Sequence, residues 1–295
     1  MTAQRQVVNA GLAAKIRSKK WVSAPGVFEM ISARLADAMG FDVLYMTGYG
    51  TVASYLGVPD AGLATYTDMV GRVTQICTVT ETPLIADGDT GYGGLLNIEH
   101  TVRGYETAGA CVIQLEDQEF PKKCGHTPGR RVIPIEDAVS KLKVAAATRD
   151  SSDFLIMART DARGLYGLDE ALKRAEAYAK AGADIIFVES PESEEEMVKI
   201  GKTFKGLPLI VNVVEGGSTP VLPVADYQAI GYSLAIYPAA GFLAMGEALR
   251  QVYGQILKTG SSIGAPPGLY DFQEFSRLMG FEHVWEFEKK WADAA

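Results

Sequence analysis

The chain has 295 residues, of which 47% are hydrophobic and 22% charged, a composition typical of a soluble globular protein. Its formal net charge of -8 disfavours nucleic acid or an anionic membrane as a partner, because both would repel an acidic protein. The three cysteines have no paired spacing, residues 1–20 contain no apolar segment, and no apolar run approaches the ~20 residues of a membrane span. We therefore expect a cytoplasmic protein with free thiols.

Short apolar runs recur along the chain and predict eight β-strands. They cover 22–24, 43–45, 84–87, 112–116, 155–159, 185–189, 209–212 and 234–237. Continuous apolar runs, rather than alternating ones, indicate a parallel sheet that is covered on both faces. Helical patterns lie between the runs, and the clearest covers 168–181, where apolar residues recur every three or four positions.

Strands that alternate with helices in this way predict a (β/α)₈ barrel of the TIM type, as a single domain over 1–295. An open doubly wound sheet is the alternative, but no Gly-x-Gly-x-x-Gly sequence follows the first strand. Beyond the barrel, 242–257 has a helical pattern. The C-terminal extension, 260–295, then consists of a Gly- and Pro-rich linker and a helical segment, 272–291, whose Phe and Trp side chains need an apolar surface.

Polar side chains follow the predicted strands at the end where the active site of such a barrel lies. They are Asp87, Asp89, Glu116, Arg159, Asp161, Glu189 and Asn212. Carboxylates that meet at one mouth repel each other without a cation, and hard oxygen ligands suit Mg²⁺. The set predicts a metal site, although any single carboxylate could instead cap the following helix or pair with Arg159.

The segment 117–134, which follows the fourth strand, is much longer than the usual βα loop of about 2–6 residues. It contains Lys122, Lys123, Cys124 and His126. Neighbouring cations should lower the pKa of a thiol, so Cys124 could exchange a proton near neutral pH. On its own this pattern is weak evidence and is more typical of a basic surface loop with an incidental cysteine.

The sequence Leu-Glu-Asp-Gln-Glu-Phe-Pro-Lys-Lys-Cys-Gly-His at 115–126 resembles the phosphoenolpyruvate mutase/isocitrate lyase superfamily. Further matching motifs lie, in the same order, at 45–50, 56–60, 87–93, 158–162 and 212–217. The resemblance covers nearly the whole length. It implies an α/β barrel whose last helix is exchanged between paired subunits, within a homotetramer that is a dimer of helix-swapped dimers. Such an exchange would give 272–291 its apolar partner.

The resemblance also implies a set of site residues. Mg²⁺ would be held around Asp87, Asp89 and Glu116, mostly through water, and Mn²⁺ suits the same ligands. The implied substrate-binding residues are Thr47, Gly48, Tyr49, Asp60, Gly125, Arg159, Glu189 and Asn212. Tyr45 or Asp60 would remove a proton from the substrate, and Arg159 would neutralise an oxyanion. The segment 117–134, with Lys122, Cys124 and His126, would close over the substrate as a gate.

Carbon–carbon lyases of this superfamily carry the Lys-Lys/Arg-Cys-Gly-His sequence in the gate, as this chain does. The resemblance therefore implies retro-aldol (Claisen-type) cleavage of a 2-hydroxy dicarboxylate such as 2,3-dimethylmalate to pyruvate and propionate. Thr127 stands where 2-methylisocitrate lyases have an arginine, so one cation fewer is present for a third carboxylate. In addition, Thr47 and Tyr49 replace the Ser-Gly-Gly of many relatives, and the larger Tyr49 should narrow the pocket.

Four other functions remain open at this stage. The nearest alternative is 2-methylisocitrate lyase, which performs the same chemistry on a tricarboxylate. Oxaloacetate hydrolase and carboxyphosphoenolpyruvate mutase activity are the next alternatives. The last is a non-catalytic binding homologue, which is disfavoured because every expected catalytic residue type is present.

Overall fold

The computed structural model describes residues 2–125, 127 and 129–292. The strands are β1 (Val22–Val27), β2 (Leu44–Met46), β3 (Leu84–Asp87), β4 (Val112–Glu116), β5 (Leu155–Thr160), β6 (Ile185–Val188), β7 (Ile210–Asn212) and β8 (Leu234–Tyr237). All are parallel neighbours in the order β6-β5-β4-β3-β2-β1-β8-β7. A parallel bridge between Ile186 and Leu209 joins the two ends of this sheet. The predicted eight strands and the TIM-type barrel are confirmed.

The helices surround the barrel and extend beyond it. They are α1 (Ala3–Arg17), α2 (Met30–Ala38), α3 (Gly48–Leu56), α4 (Tyr66–Val79), α5 (Leu95–Ala108), α6 (Ile135–Thr148), α7 (Arg163–Tyr166), α8 (Leu168–Lys180), α9 (Glu194–Thr203), α10 (Val224–Ile230), α11 (Ala240–Thr259), α12 (Phe272–Leu278) and α13 (Phe281–Ala292). The predicted helices 168–181 and 242–257 correspond to α8 and α11. No helix in the described part of the chain is long and apolar enough to cross a membrane.

The core has two layers. One cluster fills the space between the strands and the outer helices, and the other fills the barrel interior with side chains such as Ile85, Met157 and Phe187. Leu12 and Ile16 of α1 belong to the interior cluster. Helix α1 therefore covers the amino-terminal end of the barrel, and the carboxyl ends of the strands form the open mouth.

The C-terminal segment 272–291 is helical, as the sequence pattern predicted. It divides into α12 and α13, and Gly280 between them has a φ of 93°, a conformation that favours glycine and ends helices. Helix α13 has no buried residue, and Trp285 and Trp291 are 47% and 55% exposed. Exchange of this helix between subunits stays a prediction.

Candidate active site

A cavity of about 240 Å³ opens at the mouth of the barrel. Its polar lining residues are Tyr45, Thr47, Tyr49, Asp60, Asp87, Glu116, Lys122, Lys123, Cys124, Gly125, Thr127, Arg159 and Asn212. Its apolar lining residues are Val214, Pro238, Ala239, Phe242 and Leu243. A larger groove of about 1000 Å³ lies outside the barrel, against α1, α4 and α5, but none of the strand-end residues lines it. The smaller cavity is therefore the candidate site, because the reactive side chains converge there.

Lys122 lies between two carboxylates of the mouth. Its Nζ is 2.5 Å from Asp60 Oδ1 and 2.7 Å from Asp89 Oδ1, and all three side chains are at least 95% buried. Burial lowers the pKa of Lys122, but the charges of Asp89, Glu116, Asp60 and Asp87 outweigh it and raise the pKa well above its usual value. Lys122 therefore stays protonated and holds the loop after β4 against the barrel.

Tyr45 and Asp87 are joined by a side chain that the sequence did not single out. The Tyr45 hydroxyl donates to Gln114 Oε1 at 3.1 Å, and Gln114 Nε2 donates to Asp87 Oδ1 at 3.1 Å. Burial, followed by the negative charge of Asp87, raises the pKa of Tyr45 well above 10. The phenol is therefore neutral at physiological pH and acts as a hydrogen-bond donor. This disfavours Tyr45, relative to Asp60, as the general base.

Arg159 is surrounded by three carboxylates. Its Nε and Nη2 donate to the two oxygens of Asp161, each at 2.9 Å. Its Nη1 lies 3.4 Å from Glu189 Oε2, and its Nε lies 3.5 Å from Glu116 Oε2. The guanidinium is thus fixed in orientation at the cavity wall, where it can stabilise negative charge that develops on a substrate oxygen.

Glu189 and Asn212 have different positions. Asn212 lines the cavity, and its Nδ2 donates to Glu189 Oε2 at 3.1 Å. Glu189 is completely buried behind Asn212 and Arg159 and is not among the residues that line the cavity. Its carboxylate contacts two side chains that do face the cavity, and a contact of Glu189 with substrate stays a prediction.

Glycine is required at two positions where the backbone lies very close to a charged side chain. A Cβ on Gly48 would lie 2.3 Å from Asp87 Oδ2, and a Cβ on Gly125 would lie 2.2 Å from Arg159 Nη2. Any side chain at either position would displace a charged group of the mouth. Gly48 begins α3 just after β2, and Gly125 belongs to the loop after β4. The backbone therefore packs closely against a charged side chain at both positions.

The loop after β4 is folded over the mouth. Its two ends pair through an antiparallel bridge between Gln118 and Val132. Further along, the Cys124 amide donates to the Asp60 carbonyl at 3.2 Å, and the Thr127 amide donates to the Cys124 carbonyl at 2.9 Å. Cys124 is thereby held at the cavity wall. His126, which we predicted in the same set, lies outside the described residues.

The mouth fits a divalent cation that is bound mainly through water and substrate oxygens. No group of three or more His, Cys, Asp or Glu side chains in the described chain is arranged to hold a metal by itself. However, Glu116 Oε1 is buried without a hydrogen-bond partner among the described residues. Burial raises the pKa of Asp87 and Glu116, and that of Asp89 to about 6, despite Lys122 and Arg159. These carboxylates have too little positive charge nearby, which a cation would supply.

Comparison with known families decides the relationship. Residues 12–257 match the family model described as phosphoenolpyruvate phosphomutase. The chain belongs to the phosphoenolpyruvate mutase/isocitrate lyase superfamily. The superfamily predicted from the motif at 115–126 is thus confirmed.

Individual relatives of this superfamily member match over nearly their whole length. It is 48% identical over 284 residues to 2,3-dimethylmalate lyase of Eubacterium barkeri, covering 95% of this chain and 98% of the relative. It is 40% identical over 280 residues to 2-methylisocitrate lyase of Aeropyrum pernix, covering 95% of this chain and 89% of the relative.

Two solved structures show the same architecture. A crystal structure of 2,3-dimethylmalate lyase superimposes with a TM-score of 0.90 at 31% identity, covering 98% of this chain and 96% of that one. A phosphonopyruvate hydrolase in complex with oxalate and Mg²⁺ superimposes with a TM-score of 0.86 at 31% identity, covering 97% and 99%. Both lie well within the range that indicates a shared fold and family.

The structure brings most of the predicted site residues together and adds some that the sequence did not reveal. Most of the predicted residues line one cavity, namely Tyr45, Thr47, Tyr49, Asp60, Asp87, Glu116, Lys122, Cys124, Gly125, Arg159 and Asn212. Gly48 and Asp89 lie directly against lining residues. The missed residues are Gln114 and the apolar group Val214, Ala239, Phe242 and Leu243. Only Gln114 gave a signal, as a polar residue inside an otherwise apolar strand.

Proposed function

We propose that this protein is a Mg²⁺-dependent carbon–carbon lyase that cleaves a 2-alkylmalate such as 2,3-dimethylmalate to pyruvate and propionate. One observation carries the proposal. The loop cysteine, Cys124, lines the same small cavity as the arginine Arg159 and the carboxylates Asp60, Asp87 and Glu116. An acid for a departing carbanion and a cation for a developing oxyanion are thereby available on one substrate.

Three side chains act in the proposed reaction as a base, an acid and a stabilising cation. Asp60 removes the proton of the 2-hydroxyl, and the C2–C3 bond breaks as the C2 oxygen becomes a carbonyl. The electron pair of that bond passes to C3, and the Cys124 thiol protonates it to give propionate. Arg159, fixed by Asp161 and Glu189, stabilises negative charge on the C2 oxygen.

A bound Mg²⁺ would act as a Lewis acid towards the oxygens of the 2-hydroxy acid. Asp87, Asp89 and Glu116 would hold it, since their buried carboxylates have too little positive charge nearby. Mn²⁺ suits the same oxygen ligands. The support from relatives is that one solved structure of the superfamily contains Mg²⁺ together with oxalate.

The apolar lining favours an alkyl-substituted dicarboxylate as the substrate. Val214, Ala239, Phe242 and Leu243 give one side of the cavity no group that could pair with a further carboxylate. Methyl groups of a 2-alkylmalate would instead bury apolar surface there. The relative that shares 48% of its residues with this chain is named for such a substrate.

A second candidate function is cleavage of 2-methylisocitrate. One observation favours it: Lys123 lines the cavity, and its ammonium donates to the Gly129 carbonyl at 3.0 Å rather than to a carboxylate. This lysine could therefore accept a third substrate carboxylate. The relative from Aeropyrum pernix carries this activity in its name.

The assembly and place of action that we propose are a homotetramer of helix-swapped dimers, in the cytoplasm. Support for the helix exchange comes from the exposed aromatic side chains of α13, which include Phe281, Trp285, Phe287 and Trp291. Light scattering on the full chain and on a chain that ends at residue 268 tests this. A tetramer that becomes a smaller species on truncation is the expected result, and a monomer in both cases contradicts it.

The test of the activity is release of 2-oxo acid from 2,3-dimethylmalate, followed with and without Mg²⁺ and then with EDTA. Pyruvate should appear only when the metal is present, together with one equivalent of propionate. Pyruvate from 2-methylisocitrate alone would transfer the assignment to the second candidate. No 2-oxo acid from either compound would contradict a lyase function.

A further inference from the structure

Arg130, near the end of the loop after β4, reaches a buried carboxylate of the barrel. Its Nη1 donates to Asp161 Oδ1 at 2.9 Å, and the two side chains are only 12% and 0% exposed. The guanidinium also lies against Gly164 of α7, where an added Cβ would be 2.9 Å from Arg130 Nη2. The loop therefore contributes a buried cation to a position behind the cavity wall.

The same carboxylate binds the arginine that faces the substrate. Asp161 Oδ1 accepts from Arg159 Nη2 as well as from Arg130 Nη1, and Asp161 Oδ2 accepts from Arg159 Nε. Burial alone raises the pKa of Asp161, but the charges and hydrogen bonds of Arg159 and Arg130 outweigh it, so the pKa lies below its usual value. Asp161 is thus an ionised bridge between the loop and the active-site arginine.

Asp161 is also held by contacts on its other side. Its backbone amide donates to Asp117 Oδ1 at 2.9 Å. Asp117 in turn accepts from the Tyr178 hydroxyl at 2.7 Å and from Arg174 Nη1 at 3.2 Å, both on α8. Asp161 is thus held between these contacts and the two arginines, of which Arg130 comes from the loop after β4.

We propose that Arg130 is a positioning residue whose contact with Asp161 sets how much of its charge Arg159 presents to the substrate. This inference rests on the proposed function, in which Arg159 stabilises an oxyanion. With Arg130 bound, Asp161 divides its negative charge between two guanidiniums, so more of the Arg159 charge is left for the substrate. Without Arg130, Asp161 neutralises Arg159 more completely, and the oxyanion is stabilised less.

The test compares two adjacent arginines of the same loop. Arg130→Gln should lower kcat about 10- to 100-fold while KM changes less than about threefold, because the substrate contacts stay while Asp161 neutralises more of the Arg159 charge. Arg131→Gln is the matched control, because Arg131 is 71% exposed and pairs only with the half-exposed Glu119. It should leave both constants unchanged. Arg130→Lys keeps a cation that can reach Asp161 and should recover part of kcat.

The contact that Arg130 gives the loop after β4 is tested independently of turnover. Alkylation of Cys124 by iodoacetamide, followed by mass spectrometry of its peptide, should be several-fold faster in Arg130→Gln than in Arg131→Gln at equal thermal stability. Equal kcat in the two variants, or a loss that appears only in KM or in melting temperature, would overturn the inference. A wild-type chain that releases no 2-oxo acid fails the proposed function. In that case equal alkylation rates would overturn the loop contact as well, and unequal rates would support it.

Discussion

The two sides of the barrel mouth differ in how their side chains are held. On the side formed by β2 to β5 and the loop after β4, ion pairs and hydrogen bonds hold the charged groups, such as Lys122 between Asp60 and Asp89. On the side formed by Val214, Pro238, Ala239 and helix α11, the lining is apolar, and the centroid of the Phe242 ring lies 5.2 Å from that of Tyr49 and 6.2 Å from that of Phe28. On the first side, the orientations of the polar side chains are fixed, whereas the second side constrains a substrate mainly through its shape.

This difference separates the reaction from the choice of substrate. Charged groups stabilise a transition state only when their positions are fixed in advance, so changes on the charged side should lower turnover of every substrate. An apolar wall discriminates by volume, and a methylene group more or less is worth only about 1–3 kcal/mol. Changes there should alter the ratio between substrates. The predictions below test this division, from the largest effect to the smallest.

The largest effect is expected at the loop thiol. Cys124→Ser should lower kcat about a thousandfold on all substrates, because the serine hydroxyl is a much weaker acid towards the departing carbanion. Steady-state release of pyruvate measures this. Cys77→Ser is the control, since Cys77 lies on α4 outside the cavity, where burial raises the pKa of its thiol to about 11. A Cys124 variant that retains full turnover would contradict the proposed acid.

Removal of the buried lysine should destabilise the whole mouth. Lys122→Met leaves Asp60 and Asp89 facing each other without a cation, which should lower the free energy of unfolding by about 3 kcal/mol. Urea denaturation of the metal-free protein measures it. Lys143→Met, at an exposed position of α6, should change the free energy by less than about 0.5 kcal/mol. Equal stability of both variants would mean that the contact of Lys122 is not needed for the fold.

Metal binding should stabilise the protein more at high pH than at low pH. Burial raises the pKa of Asp89 to about 6, so in the metal-free protein the contribution of this group to stability is fully present below about pH 4 and is lost as pH rises through 6. Mg²⁺ offsets this loss because it binds the ionised carboxylates. At a free concentration of a hundred times Kd, the gain is about 2.7 kcal/mol.

Melting temperatures at pH 5, 6, 7 and 8, with Mg²⁺ or EDTA at matched ionic strength, measure the gain. The difference between the two conditions should grow with pH and be largest at pH 8. A difference that is absent at pH 8, or that decreases with pH, would argue against Mg²⁺ among these carboxylates.

The smallest effect is expected at the apolar wall. Phe242→Ala enlarges the cavity beside Tyr49 and should reduce the preference for 2,3-dimethylmalate over malate about tenfold, while kcat with malate changes little. The ratio of kcat/KM values measures this. Leu249→Ala is the control on the same helix, because Leu249 is exposed and outside the cavity lining. An equal loss of kcat/KM with both substrates would mean that Phe242 contributes to the reaction itself rather than to the choice of substrate.

The strands and most of the charged residues at the barrel mouth could be predicted from the sequence. Apolar runs that end in Asp87, Glu116, Arg159 and Asn212 predict both a closed barrel and the chemistry at its mouth, since a strand places its last side chains there. The break between α12 and α13 also had a visible signal, Gly280, which the aromatic pattern on either side concealed.

The contacts that cross between elements could not be read from the sequence. Gln114 joins Tyr45 to Asp87, and Arg130 reaches Asp161, only because strands distant in sequence are neighbours in the barrel. The apolar wall gave no signal either, because Phe242 and Leu243 are indistinguishable in sequence from residues that pack a helix against the barrel.

The most direct test of the central claim is the series of kcat/KM values of the wild-type chain for malate, 2-methylmalate, 2,3-dimethylmalate and 2-methylisocitrate, in the presence of Mg²⁺. An apolar wall opposite a charged wall predicts that kcat/KM rises with each methyl group and falls sharply for the tricarboxylate. Equal values along the malate series, or a preference for 2-methylisocitrate, would contradict the assignment of substrate choice to the apolar side.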